Sequence, residues 1–326
     1  MQQSTLNLVA DIGGTNARFA LVDADERATV LQSPRRYRTA DFPGIAAAIA
    51  RYLVDVAPHS RPRLAALAVA SIVHGNEIRI TNCPWRFTID ALRTETGLQG
   101  LHVVNDFAAL AYSVAALGRD DRVAVGGTWA MPPGNGTFAV LGPGTGLGVA
   151  TLRRAGDDVQ VFPSEGGHCA FAPLTDQEST LLTLLRRRYG RVSYERFLSG
   201  QGLSNLHAAL RGMPDATGMS PEDIVARADD GSDANCIAAV DRFCEILGAF
   251  AGDVTLMLGA WDGIYLAGGL VTALLRPLQT NGAFRSRFEA KGRFQATLAG
   301  IPSFAIVHPD AGLLGAAVAL RRHADC

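Results

Sequence analysis

Of the 30 basic residues in this 326-residue chain, only Lys291 is a lysine. A phosphate loop of the G-x-x-x-x-G-K-[ST] type needs a lysine on the phosphates, and Lys291 stands in no such run, so that chemistry is excluded. Cysteine is also sparse. Cys83, Cys169, Cys236, Cys244 and Cys326 are odd in number, form no C-x-x-C pair and lack the clustering of zinc ligands, so they read as reduced thiols. No apolar run approaches the length that spans a bilayer. The opening MQQSTLNLVAD has no basic segment followed by an apolar one, so no secretory signal is expected. With a formal net charge of −1, there is no electrostatic reason to expect nucleic acid or an anionic membrane as partner. A cytoplasmic protein is the simplest expectation.

What is present is ordinary globular composition, 48% hydrophobic and 19% charged, so no long region needs to be disordered. The length exceeds that of one usual core and predicts two domains. Strands are expected at Leu6 to Ile12 and Phe19 to Val22, split by a Gly-Gly turn, at Leu64 to Ser71 and at Leu101 to Val104. Asp41 is positioned to cap a helix through FPGIAAAIARYLVDV, and TIDALRTETG reads as a short helix stopped by Gly97. The segment Gly118 to Gly136 is loop-like and places a domain boundary there. Beyond it, FAVLGPGTGLGVATL repeats the grammar of LVADIGGTNARFALV: apolar strand, glycine-rich turn, apolar strand. Two related half-molecules are therefore expected. The later chain is mainly helical, with a capping signature at Ser220 to Asp223 and a long amphipathic stretch from Ile237 to Leu258. Ile264 to Val271 reads as a strand interrupted by Gly268-Gly269, and AGLLGAAVALRR as a closing helix with glycine on one face.

Three glycine clusters, Gly13-Gly14, Gly142 to Gly148 and Gly268-Gly269, each follow an apolar strand. Glycine lets a backbone approach a ligand and turn its N–H groups toward an anion. A single such pair is more often a plain tight turn, but three at strand ends, two in matching units, favour phosphate binding. GPGTGLG is not the dinucleotide fingerprint, because Leu147 sits where the last glycine should be and the chain continues as a strand. Asp11 just before the first turn would repel phosphate unless a divalent cation intervened. That points to a Mg²⁺-nucleotide.

In order, ADIGGTNARFAL, VLGPGTGLG, IYLAGGLV and DAGLLGAAVAL resemble the two phosphate segments, the adenosine segment and the final connecting segment of the actin-like ATPase superfamily. Within it, NDFAA, SEGGHCAFAP and YERFLSGQGL are similar to the sugar-binding segments of the bacterial glucokinase family, and the resemblance covers almost the whole chain. It implies an α/β protein of two ribonuclease-H-like domains with an active-site cleft between them. The small domain would span 1–117, completed by the C-terminal helix 309–326, and the large one 118–308. It implies ATP with Mg²⁺, phosphate held by Ala10, Asp11, Ile12, Gly13, Gly14 and Thr15 and by Gly144, Thr145 and Gly146, and adenosine room at Gly268 and Gly269. No direct protein ligand to the metal is expected, only contact through water near Asp11. Asn105, Glu165, His168 and Glu195 fall on the family's sugar-contacting positions and Asp106 on its catalytic base. The related repressor and sugar-kinase branch carries a cysteine-rich zinc segment after its sugar-binding histidine; nothing like it follows His168, so no structural zinc is expected. A homodimer is suggested by the same likeness.

The residues themselves leave alternatives open. Asn105-Asp106 opens a helix, and either side chain could simply cap it. Phosphoryl transfer to a sugar needs a carboxylate to accept the hydroxyl proton, and with the surrounding motifs present Asp106 is the candidate. His168 beside CAF could be a buried core histidine, and Glu195 an ordinary first-turn acid behind a Ser193 cap. Ser71, Asn76 and Asn82 are expected near the pocket or as plain turn residues. The implied reaction moves the γ-phosphoryl group of Mg-ATP to the 6-hydroxyl of glucose. The competing readings are a kinase for mannose or an N-acetylhexosamine, a sugar-sensing regulator of the same fold and an actin-like filament subunit.

Overall fold

The computed structural model describes residues 5–24, 29–56, 58, 61–126, 134–213 and 218–324. The chain divides into two compact units, the first made of Met1–Arg119, Gly156–Pro163 and His308–Cys326, the second of Asp120–Ala155 and Ser164–Val307. Part of the loop-like boundary segment, 127–133, lies outside the described residues, as do Cys326 and the first four residues. That 156–163 joins the first unit was not suggested by the sequence.

The sheet of the first unit runs in the order Gln32–Arg38, Asn16–Asp23, Leu6–Ile12, Leu64–Val69, Gly100–Asn105. Its first three strands pair antiparallel, while Leu6–Ile12, Leu64–Val69 and Gly100–Asn105 run parallel. In the second unit the strands Leu147–Ala155, Gly136–Pro143, Gly263–Leu266 and Ser303–Ile306 follow one another in the same manner, with Arg122–Ala124 added antiparallel beyond Ser303–Ile306. An antiparallel hairpin is again extended by parallel strands, so the repeated grammar corresponds to a repeated topology. Both hairpins form because apolar runs flank a glycine turn too short for anything but direct reversal. The central parallel strands are nearly continuous apolar runs, as strands buried on both faces must be.

Each unit has its own core. In the first, Phe19, Tyr52 and Trp85 pack with Leu6, Leu8 and Leu67. In the second, Phe243 and Phe250 of the helix Ala234–Leu258, capped by Asp233, cluster with Phe197, Phe284 and Phe288. Two local expectations fail. Asp41 does not cap a helix: it ends a 3₁₀ turn, Thr39–Asp41, and the helix begins only at Ile45, beyond Pro43-Gly44. Proline biases the residue before it away from the helical region, which delays the start. The strand expected through Val271 stops at Leu266, and Gly269–Ala273 is helical, because Gly268 adopts φ +103°, a conformation outside the strand ladder. The sole lysine is fully occupied, its Nζ donating to the carbonyl of Ala249 at 2.8 Å and pairing with Asp253. Among the described residues no helix is long and apolar enough to cross a membrane.

Candidate active site

Strand register alone assembles a cluster of candidate residues in the first unit. Ile12 lies beside Val69, and Val69 beside Asn105. The carboxyl ends of three parallel strands therefore coincide, which is where open α/β sheets take their ligands. The turn Gly13 to Thr15 leaves one strand there, Ser71 follows the second, and Asp106 the third. Ala10 and Ile12 are fully buried strand residues that frame the turn from the core. Thr15 is exposed. Thr39 ties the turn down, its hydroxyl donating to the Gly14 carbonyl at 2.8 Å.

At Asn105-Asp106 the capping residue is Asn105. Its Oδ1 accepts from the amides of Phe107 at 2.9 Å and Ala108 at 3.1 Å, and its Nδ2 donates to the Ser71 carbonyl at 3.0 Å. Asp106 is the first residue of the helix Asp106–Ser113. Its Oδ1 accepts from Asn105 Nδ2 at 3.0 Å and from its neighbour's amide at 2.9 Å. Burial pushes the Asp106 carboxyl up to about 6, opposed by the Phe107 amide and reinforced by the negative charge of Asp11.

Asp11 sits opposite Arg18 in the hairpin register, and their ion pair spans 3.3 Å. Burial nevertheless raises its carboxyl above the ordinary range; Arg18 opposes the shift and Asp310 adds to it. Asp310 escaped the sequence reading, since nothing local marks a residue 299 positions after Asp11 as its electrostatic neighbour. The C-terminal helix Ala311–Ala324 also runs against this cluster, so closely that a Cβ on Gly312 would come within 2.7 Å of Asp11 Oδ2. Three desolvated or facing carboxylates with one arginine are under-neutralised. A divalent cation and its water fit that donor set.

Of the turn residues expected nearby, Ser71 meets Asn105. Asn82 has a left-handed φ of 57°, whereas Asn76 is committed to the start of the helix Ile89–Thr96, its Oδ1 accepting from the amide of Asp90.

In the second unit, Gly144, Thr145 and Gly146 form the three-residue turn between paired Pro143 and Leu147. The amide of Gly144 is already used, donating to the Gly146 carbonyl at 2.8 Å, and the carbonyl of Gly144 receives the amide of Gly200. Gly268 and Gly269 leave the neighbouring parallel strand at the same end, the Ala267 amide bonding Leu141 at 2.8 Å. Nothing lies within 4 Å of a Cβ built on Gly269, so space is open there.

The same unit brings together Glu165, His168 and Glu195. His168 Nε2 is 3.8 Å from Glu165 Oε2 and 3.9 Å from Glu195 Oε2. His168 is exposed at its side chain (56%), so it is no core histidine. Ser193 makes no side-chain cap, and Glu195 is more than a first-turn acid: its Oε2 accepts from the Leu147 amide at 3.0 Å, fastening the 3₁₀ turn Tyr194–Arg196 to the second glycine turn. A Cβ on Gly146 would lie 2.6 Å from that oxygen, which is why the turn carries glycine there.

Comparison with known proteins places these features in a wider set. The family model described as Glucokinase matches residues 8–323. Curated glucokinases from Stenotrophomonas maltophilia (strain R551-3) and Xylella fastidiosa (strain M12) are 46% and 43% identical over 317 and 322 residues, covering 95% and 96% of this chain and 93% and 94% of the relatives. The crystal structure of a glucokinase from an Antarctic psychrotroph superposes with a TM-score of 0.88 at 35% identity, covering 98% of this chain and all of the other. A ROK-family glucokinase from Streptomyces griseus, solved with glucose and AMPPNP, shares the fold at 20% identity and a TM-score of 0.64, over 97% of this chain and 99% of that one.

Proposed function

The chain belongs to the glucokinase family of ATP-dependent sugar kinases, and from that premise we propose how its residues carry out transfer of the γ-phosphoryl group of ATP to the 6-hydroxyl of glucose. Each unit is read as a ribonuclease-H-like domain contributing to one reaction. Asp106 accepts the hydroxyl proton as the oxygen–phosphorus bond forms. With a carboxyl near 6, about nine-tenths of it is ionised at pH 7, yet it is basic enough to hold the proton. Asn105, Glu165, His168 and Glu195 bind the sugar hydroxyls, which need both donors and acceptors. Gly13 to Thr15 and Gly144 to Gly146 hold phosphate oxygens, and Gly268-Gly269 leave room for adenosine. Asp11 orients the water of a Mg²⁺ bound with ATP. Bound there, Mg²⁺ would neutralise charge on the β- and γ-phosphates.

The observation that supports this reading most is the pair Asn105-Asp106: a helix cap on one residue and a desolvated carboxylate on the next, at the strand end shared with the first glycine turn. The sugar set is read as functioning without the zinc segment of the repressor and sugar-kinase branch. A cytoplasmic homodimer supplying glucose 6-phosphate to glycolysis is the matching setting. A coupled assay of the purified chain with Mg-ATP and glucose, mannose or N-acetylated hexosamines tests the assignment. The highest kcat/KM is expected with glucose. A preference for another hexose, or no turnover with any, overturns it.

A further inference from the structure

Helix Gly200–Leu210 and the capped start of helix Ala234–Leu258 bring together three side chains that the sugar-kinase reading leaves unused. They are His207, Asp233 and Cys236, whose candidate ligand atoms all lie within 4.8 Å of one another. His207 and Cys236 are 1% and 0% exposed. The Nε2 atom of His207 has no hydrogen-bond partner among the described residues. A buried ring nitrogen left without a partner is costly and calls for an explanation.

We propose that His207, Asp233 and Cys236 form a zinc site. Imidazole, thiolate and carboxylate are the donors that zinc takes, and three of them leave a fourth, open position. In a tetrahedral site donor atoms stand about 3.3–3.8 Å apart, so the observed spacing closes by small side-chain rotations. Charge also balances: one thiolate and one carboxylate cancel the dication, the Cys236 proton passing to solvent as the sulfur–metal bond forms. Met219 Sδ lies 3.8 Å from Cys236 Sγ and adds a soft neighbour to the sulfur side.

Asp233 can serve cap and metal together: Oδ1 accepts from the amides of Asn235 and Cys236, and a carboxylate has a second oxygen. The bound ion would join the cap of the longest helix to the helix whose first residue, Gly200, bonds the Gly144 carbonyl.

The sequence reading excluded structural zinc because cysteines did not cluster along the chain and nothing resembled the zinc segment of the repressor and sugar-kinase branch after His168. This cluster escapes both criteria, since its members come from two helices. It is independent of the assignment of sugar and ATP.

The test uses the full chain without affinity tag, incubated with Zn²⁺, dialysed against metal-free buffer and assayed by elemental analysis and thermal unfolding. About one zinc per chain is expected, with an unfolding midpoint raised by Zn²⁺. Cys169→Ser, which removes an exposed thiol elsewhere, should behave the same. Asp233→Asn keeps an amide oxygen for the cap and should weaken zinc binding roughly tenfold or more, as should His207→Gln. Should His207→Gln not fold, Asp233→Asn carries the test alone. A wild-type chain that retains no stoichiometric zinc overturns the proposal, and so does wild-type affinity in either folded ligand variant.

Discussion

Replacing Asp106 by Asn should make the protein more stable while abolishing its turnover. The side chain's Oδ1 accepts two hydrogen bonds, from Asn105 Nδ2 and the Phe107 amide, and an amide oxygen can accept both. What the substitution removes is a carboxylate that burial disfavours. The folded carboxyl sits at about 6, above its ordinary value of 3.8. Each unit of difference corresponds to about 1.4 kcal/mol, so the ionised group costs the fold at most about 3 kcal/mol. Because the folded value is raised, the cost is fully present above pH 6, where both states are ionised. It fades as pH falls through 6 toward 3.8, where the folded carboxyl takes its proton first. Asp106→Asn should therefore unfold at higher denaturant than wild type at pH 8, with the gap falling to about half at pH 5. In the same preparations kcat should drop by about 10²–10⁴, the contribution of a general base. Equal or lower stability of the variant at pH 8 would refute the desolvation argument. Near-normal kcat would remove Asp106 from the base role.

Gly315→Ala should destabilise by about 1–3 kcal/mol in denaturant titration, because the new methyl would overlap the carbonyl of Ala109 and force apart the C-terminal helix and the helix that begins at Asp106. Its kcat should fall as well. Glu195→Gln should raise KM for glucose about tenfold, by weakening the charge-assisted bond from Leu147 that joins the sugar segment to the glycine turn, with little change in unfolding midpoint. His102 is held down to about 4 by burial and by His323, against an ordinary value of 6.5. Its contribution is complete above pH 6.5 and is lost as pH falls toward 4, where the unfolded chain binds the proton more readily. His102→Gln should flatten this acid loss, at most about 3 kcal/mol, in stability measured across that window; an unchanged slope would rule His102 out as its source.

Locally encoded features were legible without a structure. The hairpins around Gly13-Gly14 and Gly144 to Gly146 depend on apolar runs and turn residues within about twenty positions. The cap of the helix Pro221–Asp229 by Ser220 and the stop at Gly97 depend on fewer still. Asp41 misled because its composition suits a cap while Pro43 further along governs where helical geometry can begin. The family resemblance, not residue chemistry, singled out Asp106, Glu165, His168 and Glu195 together; residue chemistry could not choose between capping and catalysis at Asn105-Asp106, or between core and surface for His168.

Those choices belong to packing. Register of three parallel strands, contributed by segments from Leu6 to Asn105, puts one glycine turn and one carboxylate at the same sheet end. Desolvation of Asp106 and Asp11, the proximity of Asp310, the hold of Leu147 on Glu195 and the cluster at His207 all join residues remote in sequence. Periodicity and propensity report only what a residue's chain neighbours impose. Hydrogen-bond partners, burial and electric field are sums over neighbours in space, so they exist only once the tertiary structure has formed.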